Sequence, residues 1–362
     1  MVLTFIYIVF IIQIFFWGYL STLFFKKNKK PTEQYRPSVS VIVCARNESD
    51  NLPTLINDLL NQTYYNFEVI IVNDRSTDQT LNVLQKINSP KFSYITIDKT
   101  PDNYDHKKFA LKKGIEVAKN EFLLLTDADC ITNSDTWIES MLYNLEENTD
   151  VVVGASFYTD KKGWLNSFIH YETALTAFTY FGLGKIGLPY MGVGRNLGYK
   201  KSIVSKDPYK KHKNHQGGDD DLLFKETFLK KRIQFVSSKS SITWSYPKSN
   251  LKEYLAQKTR HLSTGTKYNF YISAILAVLT ISHVLCYILP LLFVVTLNDL
   301  NSICFLFTIR SLFLALAFKR LSGFLNKKPQ IIKILVNDFI FIPYIVSVSF
   351  FLILNGPIKW KK

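Results

Sequence analysis

The chain has 362 residues, 47% of them hydrophobic and 20% charged, with 28 Phe and 20 Tyr, a mixture that excludes disorder and an ordinary soluble enzyme and suits a soluble domain joined to membrane segments. The formal net charge of +15 gathers beside apolar runs, as in Lys26-Lys27-Asn28-Lys29-Lys30 and Lys327-Lys328. That placement points to anionic headgroups and topology, and with no zinc-finger or RNA-binding signature it argues against nucleic acid.

Residues 2–25 are apolar and uncharged, long enough to span a bilayer as a helix. No basic residues precede the run and no small-residue cleavage site follows it, which speaks against a signal peptide. The lysines that follow place residue 26 onward in the cytoplasm by the positive-inside rule. A globular composition holds over residues 38–267, and apolar spans return within 270–354. Those spans are 270–296, a shorter 302–318 interrupted by Arg310, and 334–354 with Asp338 and Pro343 inside it. Four full spans would put the lysines of Lys359-Trp360-Lys361-Lys362 outside, against the same rule. Either the bias is violated locally or one C-terminal segment is re-entrant or interfacial. The four cysteines, Cys44, Cys130, Cys286 and Cys304, form no Cys-x-x-Cys pair and read as free thiols of a reducing compartment.

Within the globular part, strand and helix signals alternate. Val39 to Cys44 is a β-branched strand, and 51–62 has helical spacing of Leu52, Leu55, Ile56, Leu59 and Leu60. A second strand runs from Phe67 to Val72 and a second helix over 77–87. A third strand covers 92–97 and a third helix 107–118, and Phe122 to Thr126 is a fourth strand running into Asp127-Ala128-Asp129. The alternation predicts an α/β domain with a mostly parallel sheet, whose ligands bind beyond the carboxyl ends of the strands. Three acidic clusters stand at such ends: Asn47-Glu48, Asp74 to Asp78, and Asp127 with Asp129. Carboxylates there can accept hydrogen bonds from a ribose or a base, and a pair one residue apart can hold a divalent metal that grips a diphosphate. The competing reading is that Asp74 or Asp78 caps the next helix, and Asp-x-Asp by itself matches often by chance.

The order of these clusters resembles the family 2 glycosyltransferases of the GT-A fold. Those domains begin with a strand, an Asn-Glu pair, a helix, and a strand ending in Asp-Asp-x-Ser-x-Asp. This chain reads Asn73-Asp74-Arg75-Ser76-Thr77-Asp78, with Asn for the first Asp. The resemblance implies that Glu48 and Asp74 contact the nucleoside. Lys107 in His106-Lys107-Lys108-Phe109-Ala110-Leu111 matches the lysine of a family Gly-Lys-x-x-Ala-Leu and would neutralise diphosphate charge; the alternative is a solvated helix start. The family's Asp-x-Asp makes Asp129 the ligand of a Mg2+ or Mn2+ ion and gives Asp127 a supporting role in donor binding.

Gly192 to Tyr199 resembles the family's acceptor-side segment, which brings in Asn196, although alone it reads as a flexible turn. In Gly217-Gly218-Asp219-Asp220-Asp221 the family pattern makes Asp220 the catalytic base and Asp219 its acceptor-side neighbour; a solvated acidic loop is the alternative. Gln257-Lys258-Thr259-Arg260-His261 resembles Gln-x-x-Arg-Trp, with Arg260 on the diphosphate and Gln257 on the acceptor; a juxtamembrane cationic helix is the alternative. Tyr and Trp residues between Trp164 and Tyr190 suit either an interfacial surface or plain packing.

The resemblance covers roughly 38–265 and implies a multi-pass protein of the plasma (inner) membrane with a cytoplasmic domain. Its expected activity is metal-dependent, inverting transfer of a sugar from a nucleotide-diphosphate donor to a lipid-linked or glycan acceptor. Two rival readings are a processive polysaccharide synthase, disfavoured by His261 in place of Trp, and a non-catalytic membrane scaffold or transporter with a nucleotide-binding fold.

Overall fold

A computed structural model describes residues 2–22, 35–132, 134–205, 207, 209–214, 218, 220–265, 267–293 and 299–355. In chain order the first elements are α1 (Val2–Leu20), β1 (Val39–Ala45), α2 (Leu52–Leu60), β2 (Phe67–Asp74), α3 (Thr80–Gln85), β3 (Phe92–Ile97), α4 (His106–Val117) and β4 (Phe122–Asp127). Then come β5 (Cys130–Ile131), α5 (Trp137–Met141), β6 (Val151–Gly154), β7 (Ser156–Tyr158), α6 (Trp164–Lys185) and β8 (Leu197–Lys200). The last are α7 (Asp221–Leu223), β9 (Ile233–Val236), β10 (Thr243–Ser245), α8 (Leu251–Gly265), α9 (Phe270–Phe293), α10 (Leu300–Phe324) and α11 (Ile331–Asn355). They form two compact units, an α/β unit and a helical unit.

The α/β unit is built on a seven-stranded sheet of order β3-β2-β1-β4-β8-β6-β9. β3, β2, β1 and β4 run parallel, with Ala45 opposite Asn73 and Cys44 opposite Asp127, so their carboxyl ends lie along one edge. β8 is antiparallel to both β4 and β6. A second sheet of order β5-β10-β7 sits just past the end of β4. The near-continuous burial of β1, β2 and β4 is what a parallel sheet covered on both faces requires of its apolar runs. Leu52, Leu55, Ile56 and Leu59 bring the apolar stripe of α2 onto Val39, Val41 and Val43. α4 starts where the Asp105 side chain accepts from the Lys108 amide at 3.1 Å, and Lys108 behind it is fully buried, its Nζ donating to the His212 carbonyl. Lys108 is therefore not part of a solvated helix start, whereas Lys107 is partly exposed.

Four helices, Val2–Leu20, Phe270–Leu292, Leu300–Phe324 and Ile331–Leu354, are long and apolar enough to cross a membrane. α1 packs against α9 and α10 through Ile6, Val9, Phe10, Cys286 and Ile303. Gln13 of α1 donates to Ser282 at 2.8 Å. The expected short span around Arg310 is instead the 25-residue α10. Arg310 does not interrupt it because Asp338 of α11 neutralises the guanidinium inside the bundle. All three C-terminal helices reach spanning length. The lysines at 26–30 and 359–362 lie outside the described residues. α6 and α8 fall within 38–267 in sequence, yet they cluster with the apolar helices. Aromatic packing holds α6 there: Tyr171 stacks on Phe318 and Phe168 meets Tyr344 edge-on.

Candidate active site at the strand ends

Beyond β1 and β2 the chain turns through two left-handed, non-glycine residues, Asn47 (φ 56°) and Arg75 (φ 53°). Such strained positions persist only where surrounding bonds over-determine them. Here the two turns are laced together: Asn47 Oδ1 accepts from the Thr77 amide at 2.7 Å, and the Glu48 amide donates to Thr80 Oγ1 at 2.9 Å. Asp78 accepts from the Ser49 and Thr80 amides at 3.1 and 2.9 Å. Slight burial works to raise the Asp78 carboxyl, but those hydrogen bonds win and bring it to about 2. Asp78 is thus a staple between loops. The Glu48 carboxylate accepts from Asn51 at 2.7 Å at the start of α2.

Asp74 is buried at the end of β2, and both its oxygens accept from the fork of Arg75, at 2.8 and 3.1 Å. Each Asp74 oxygen keeps a further lone pair beyond that fork. Arg75 also donates to His106 Nε2 at 3.1 Å, the residue standing where the family motif has glycine. Burial, then the Arg75 charge, lowers the His106 pKa, which keeps the ring neutral and able to accept. Asn73, the departure from the family's Asp, is buried in the sheet beside Thr96.

Lys107 reaches from the first turn of α4 to Asp127 Oδ1 at 3.0 Å. Asp129, two residues on, is raised above the usual carboxylate range by burial and by the Asp127 charge, with Arg195, Lys248 and Lys107 pulling the other way. Two neighbouring carboxylates that repel one another form a hard oxygen donor set. Divalent ions of the Mg2+ or Mn2+ kind are held by one or two such carboxylates with phosphate oxygens completing the shell, so the residues fit the metal.

The turn Gly194–Asn196 packs against β4 and carries Asp220 with it: the carboxylate accepts from the Gly194 amide at 2.7 Å and the Asp221 amide at 2.9 Å. Gly194 leaves room for this contact, since a Cβ there would stand 3.1 Å from Asp220 Oδ2. Asn196, expected on the acceptor side, is fully buried and committed inward. It accepts from Trp137 Nε1 at 3.2 Å and donates to the carbonyls of Ala155 and Ser241 at 2.6 and 2.7 Å. It fixes the segment rather than facing the crevice. Asp219 lies outside the described residues. Gln257 and Arg260 are on α8 of the helical unit, a helix tied to α6 where Lys258 pairs with Glu172 and Tyr254 donates to Glu172 at 3.1 Å. Sequence reasoning passed over Arg75, His106 and Arg195. The first two flank residues it chose, and the third sits inside the segment read as acceptor-side, next to Asn196.

Residues 40–206, from β1 past β8, match the family described as Glycosyl transferase family 2. This stretch is a family 2 glycosyltransferase domain. The family 2 domain is 36% identical over 121 residues to an uncharacterized glycosyltransferase of Haemophilus influenzae, covering 33% of this chain and 36% of that protein. It is 32% identical over 130 residues to a cholesterol galactosyltransferase of Borreliella burgdorferi, covering 34% of each. The matches therefore span about a third of these relatives' lengths. In three dimensions the chain shares its fold with a mannosyltransferase from Pyrobaculum calidifontis, solved in complex with GDP-Man and Mn2+, at a TM-score of 0.55 and 15% identity over 93% of this chain and 98% of that one.

Proposed function

We propose that the protein is a membrane-bound glycosyltransferase that moves a sugar from a nucleotide-diphosphate donor to the hydroxyl of a lipid-linked or glycan acceptor. The observation that carries this reading is the convergence of Asp74, Asp127 and Asp129 at one sheet edge with Lys107 paired into it. A nucleoside diphosphate offers a ribose for carboxylates to accept from and phosphates for a cation to grip. The membrane acceptor is supported by the four helices long and apolar enough to span a bilayer and by the similarity to the cholesterol galactosyltransferase of Borreliella burgdorferi. The lysines after the first span support a cytoplasmic face for the domain.

In this reading Asp220 takes the proton from the acceptor hydroxyl as its oxygen bonds to the anomeric carbon. The carbon–oxygen bond to the donor's β-phosphate breaks, its electron pair leaves on the diphosphate, and the configuration inverts. The two amides that hold the Asp220 carboxylate orient it for that transfer. Lys107 is placed to meet the negative charge that the leaving diphosphate acquires. A Mg2+ or Mn2+ ion held by Asp129 with Asp127 would add Lewis-acid stabilisation of the same charge when bound. The test is transfer from a panel of nucleotide sugars by the full chain in detergent, with membrane lipids as acceptor. Turnover of one donor, lost in Asp220→Asn while donor binding is kept, supports the reading. No turnover of any donor, with Asp220→Asn indistinguishable from wild type, refutes it.

A further inference from the structure

Arg195 has no role in the mechanism above, yet its surroundings are specific. β5, β10 and β7 place Cys130, Ser245 and Tyr158 directly opposite one another in a row across the small sheet. The Arg195 guanidinium lies on that row. Nη1 donates to Ser245 Oγ at 3.2 Å, and the group stands 4.5 Å from the centre of the Tyr158 ring. Ser245 Oγ is in turn 3.1 Å from Cys130 Sγ, and Cys130 directly follows Asp129. A single hydrogen-bonded chain thus runs from the arginine to the residue after the Asp-x-Asp. Arg195 Nε is buried and has no hydrogen-bond partner among the described residues, so the side chain is not fully spent on holding the fold. Its neighbour Asn196 and the turn against β4 fix where it stands.

We propose that Arg195 is a positioning residue for the donor site: a fixed countercharge, linked to Asp129 through Ser245 and Cys130, that keeps the Asp127 and Asp129 pair receptive to a diphosphate. The proposal rests on the reading of these aspartates as the donor and metal site. Cys130 Sγ stands in turn 4.0 Å from Asp129 Oδ1, so the chain that starts at the arginine ends on that carboxylate. A buried cation near two carboxylates has opposite effects on the two ligands of the site. It weakens their hold on a divalent metal and strengthens their tolerance of an approaching diphosphate. A purely structural arginine would affect both in the same direction.

The experiment uses the full chain in detergent and two binding readouts that need no turnover. Mn2+ affinity is measured by electron paramagnetic resonance, and UDP and GDP affinity by calorimetry in EDTA. The variants are Arg195→Met, Arg195→Lys and Asp129→Ala. For Arg195→Met we expect Mn2+ to bind about three- to ten-fold more tightly and the metal-free nucleoside diphosphate about three- to ten-fold more weakly. Arg195→Lys, which keeps the charge and loses the fork, stays within about two-fold on both. Both affinities falling together, or Arg195→Lys matching Arg195→Met, overturns the inference and leaves packing as the role. No change in Arg195→Met, with Mn2+ binding present in wild type and lost in Asp129→Ala, overturns the inference and spares the donor-site reading. Absence of Mn2+ binding in wild type removes both.

Discussion

Asp338 in the helical unit and Asp129 in the α/β unit are both carboxylates largely withdrawn from water, but their company differs. Asp338 is fully buried among donors. Arg310 donates to both its oxygens, Tyr171 donates to Oδ1 at 2.5 Å, and Tyr287 donates to Oδ2. His283 completes the cluster, accepting from Arg310 at Nδ1 at 3.1 Å and donating from Nε2 to the Asp338 carbonyl at 3.0 Å, which fixes one ring tautomer. Every lone pair is matched, as a charge inside an apolar bundle requires. Asp129 is set against the like charge of Asp127 instead, offset in part by the positive charges of Arg195, Lys248 and Lys107. The first arrangement holds helices together, with only Arg310 Nε of that cluster left without a partner among the described residues, and the second is the one proposed as a site. The same amino acid is read as scaffold in one place and as site in the other because of what surrounds it.

Breaking the Asp338 cluster should cost most. Arg310→Met leaves Asp338 buried without its countercharge and should destabilise the protein by about 3–5 kcal/mol, whereas Arg310→Met with Asp338→Leu should recover most of that. Thermal unfolding in detergent measures both, and equal losses in the single and double variants would contradict the pairing. At the site, Asp220→Asn should lower kcat by about 10²–10⁴-fold with donor affinity nearly unchanged, read by steady-state kinetics and calorimetry. A matching loss of donor affinity would mean that Asp220 binds and does not act as base.

Asn196→Ala strands Trp137 Nε1 and two carbonyls in the core and should cost about 1–3 kcal/mol. Gly154→Ala should fall in the same range, since a Cβ there would stand 2.4 Å from Asn196 Nδ2. A Tm unmoved by either would show that the segment is not fixed as described. The smallest effect belongs to Asp78. Its carboxyl is depressed in the folded chain from 3.8 to about 2, so its contribution is present above the ordinary value and is lost as pH falls through about 2. Asp78→Asn should flatten that part of the acid-unfolding curve, and an unchanged curve would place the acid sensitivity elsewhere.

The fold was legible in the sequence where burial is one-dimensional. β1 to β4 and the three helices between them follow from apolar runs and their spacing, because a parallel sheet with two covered faces leaves those runs little alternative. The helix ends moved by one to three residues, and in α4 the Asp105 cap sets the start at His106. What was not legible depends on pairing between distant residues. Arg310 reads as an interruption until Asp338 is seen opposite it, and α6 reads as scattered aromatics until Tyr171 finds Phe318. At the site, residue type and position at a strand end pointed to Asp74, Asp127 and Asp129. The inward bonds of Asn196 to Trp137, Ala155 and Ser241 were not legible because a buried amide and a ligand-facing amide look alike in sequence. Arg195 was passed over because its partners come from β7 and β10, 37 and 50 residues away.

The central claim is that the strand-end crevice is a metal-dependent donor site, and calorimetric titration of UDP and GDP into the purified chain with and without Mn2+ tests it most directly. The account predicts binding of one nucleotide that Mn2+ strengthens at least ten-fold in wild type and no longer strengthens in Asp129→Ala. Binding of neither nucleotide in either condition, or equal strengthening by Mn2+ in Asp129→Ala, would contradict it.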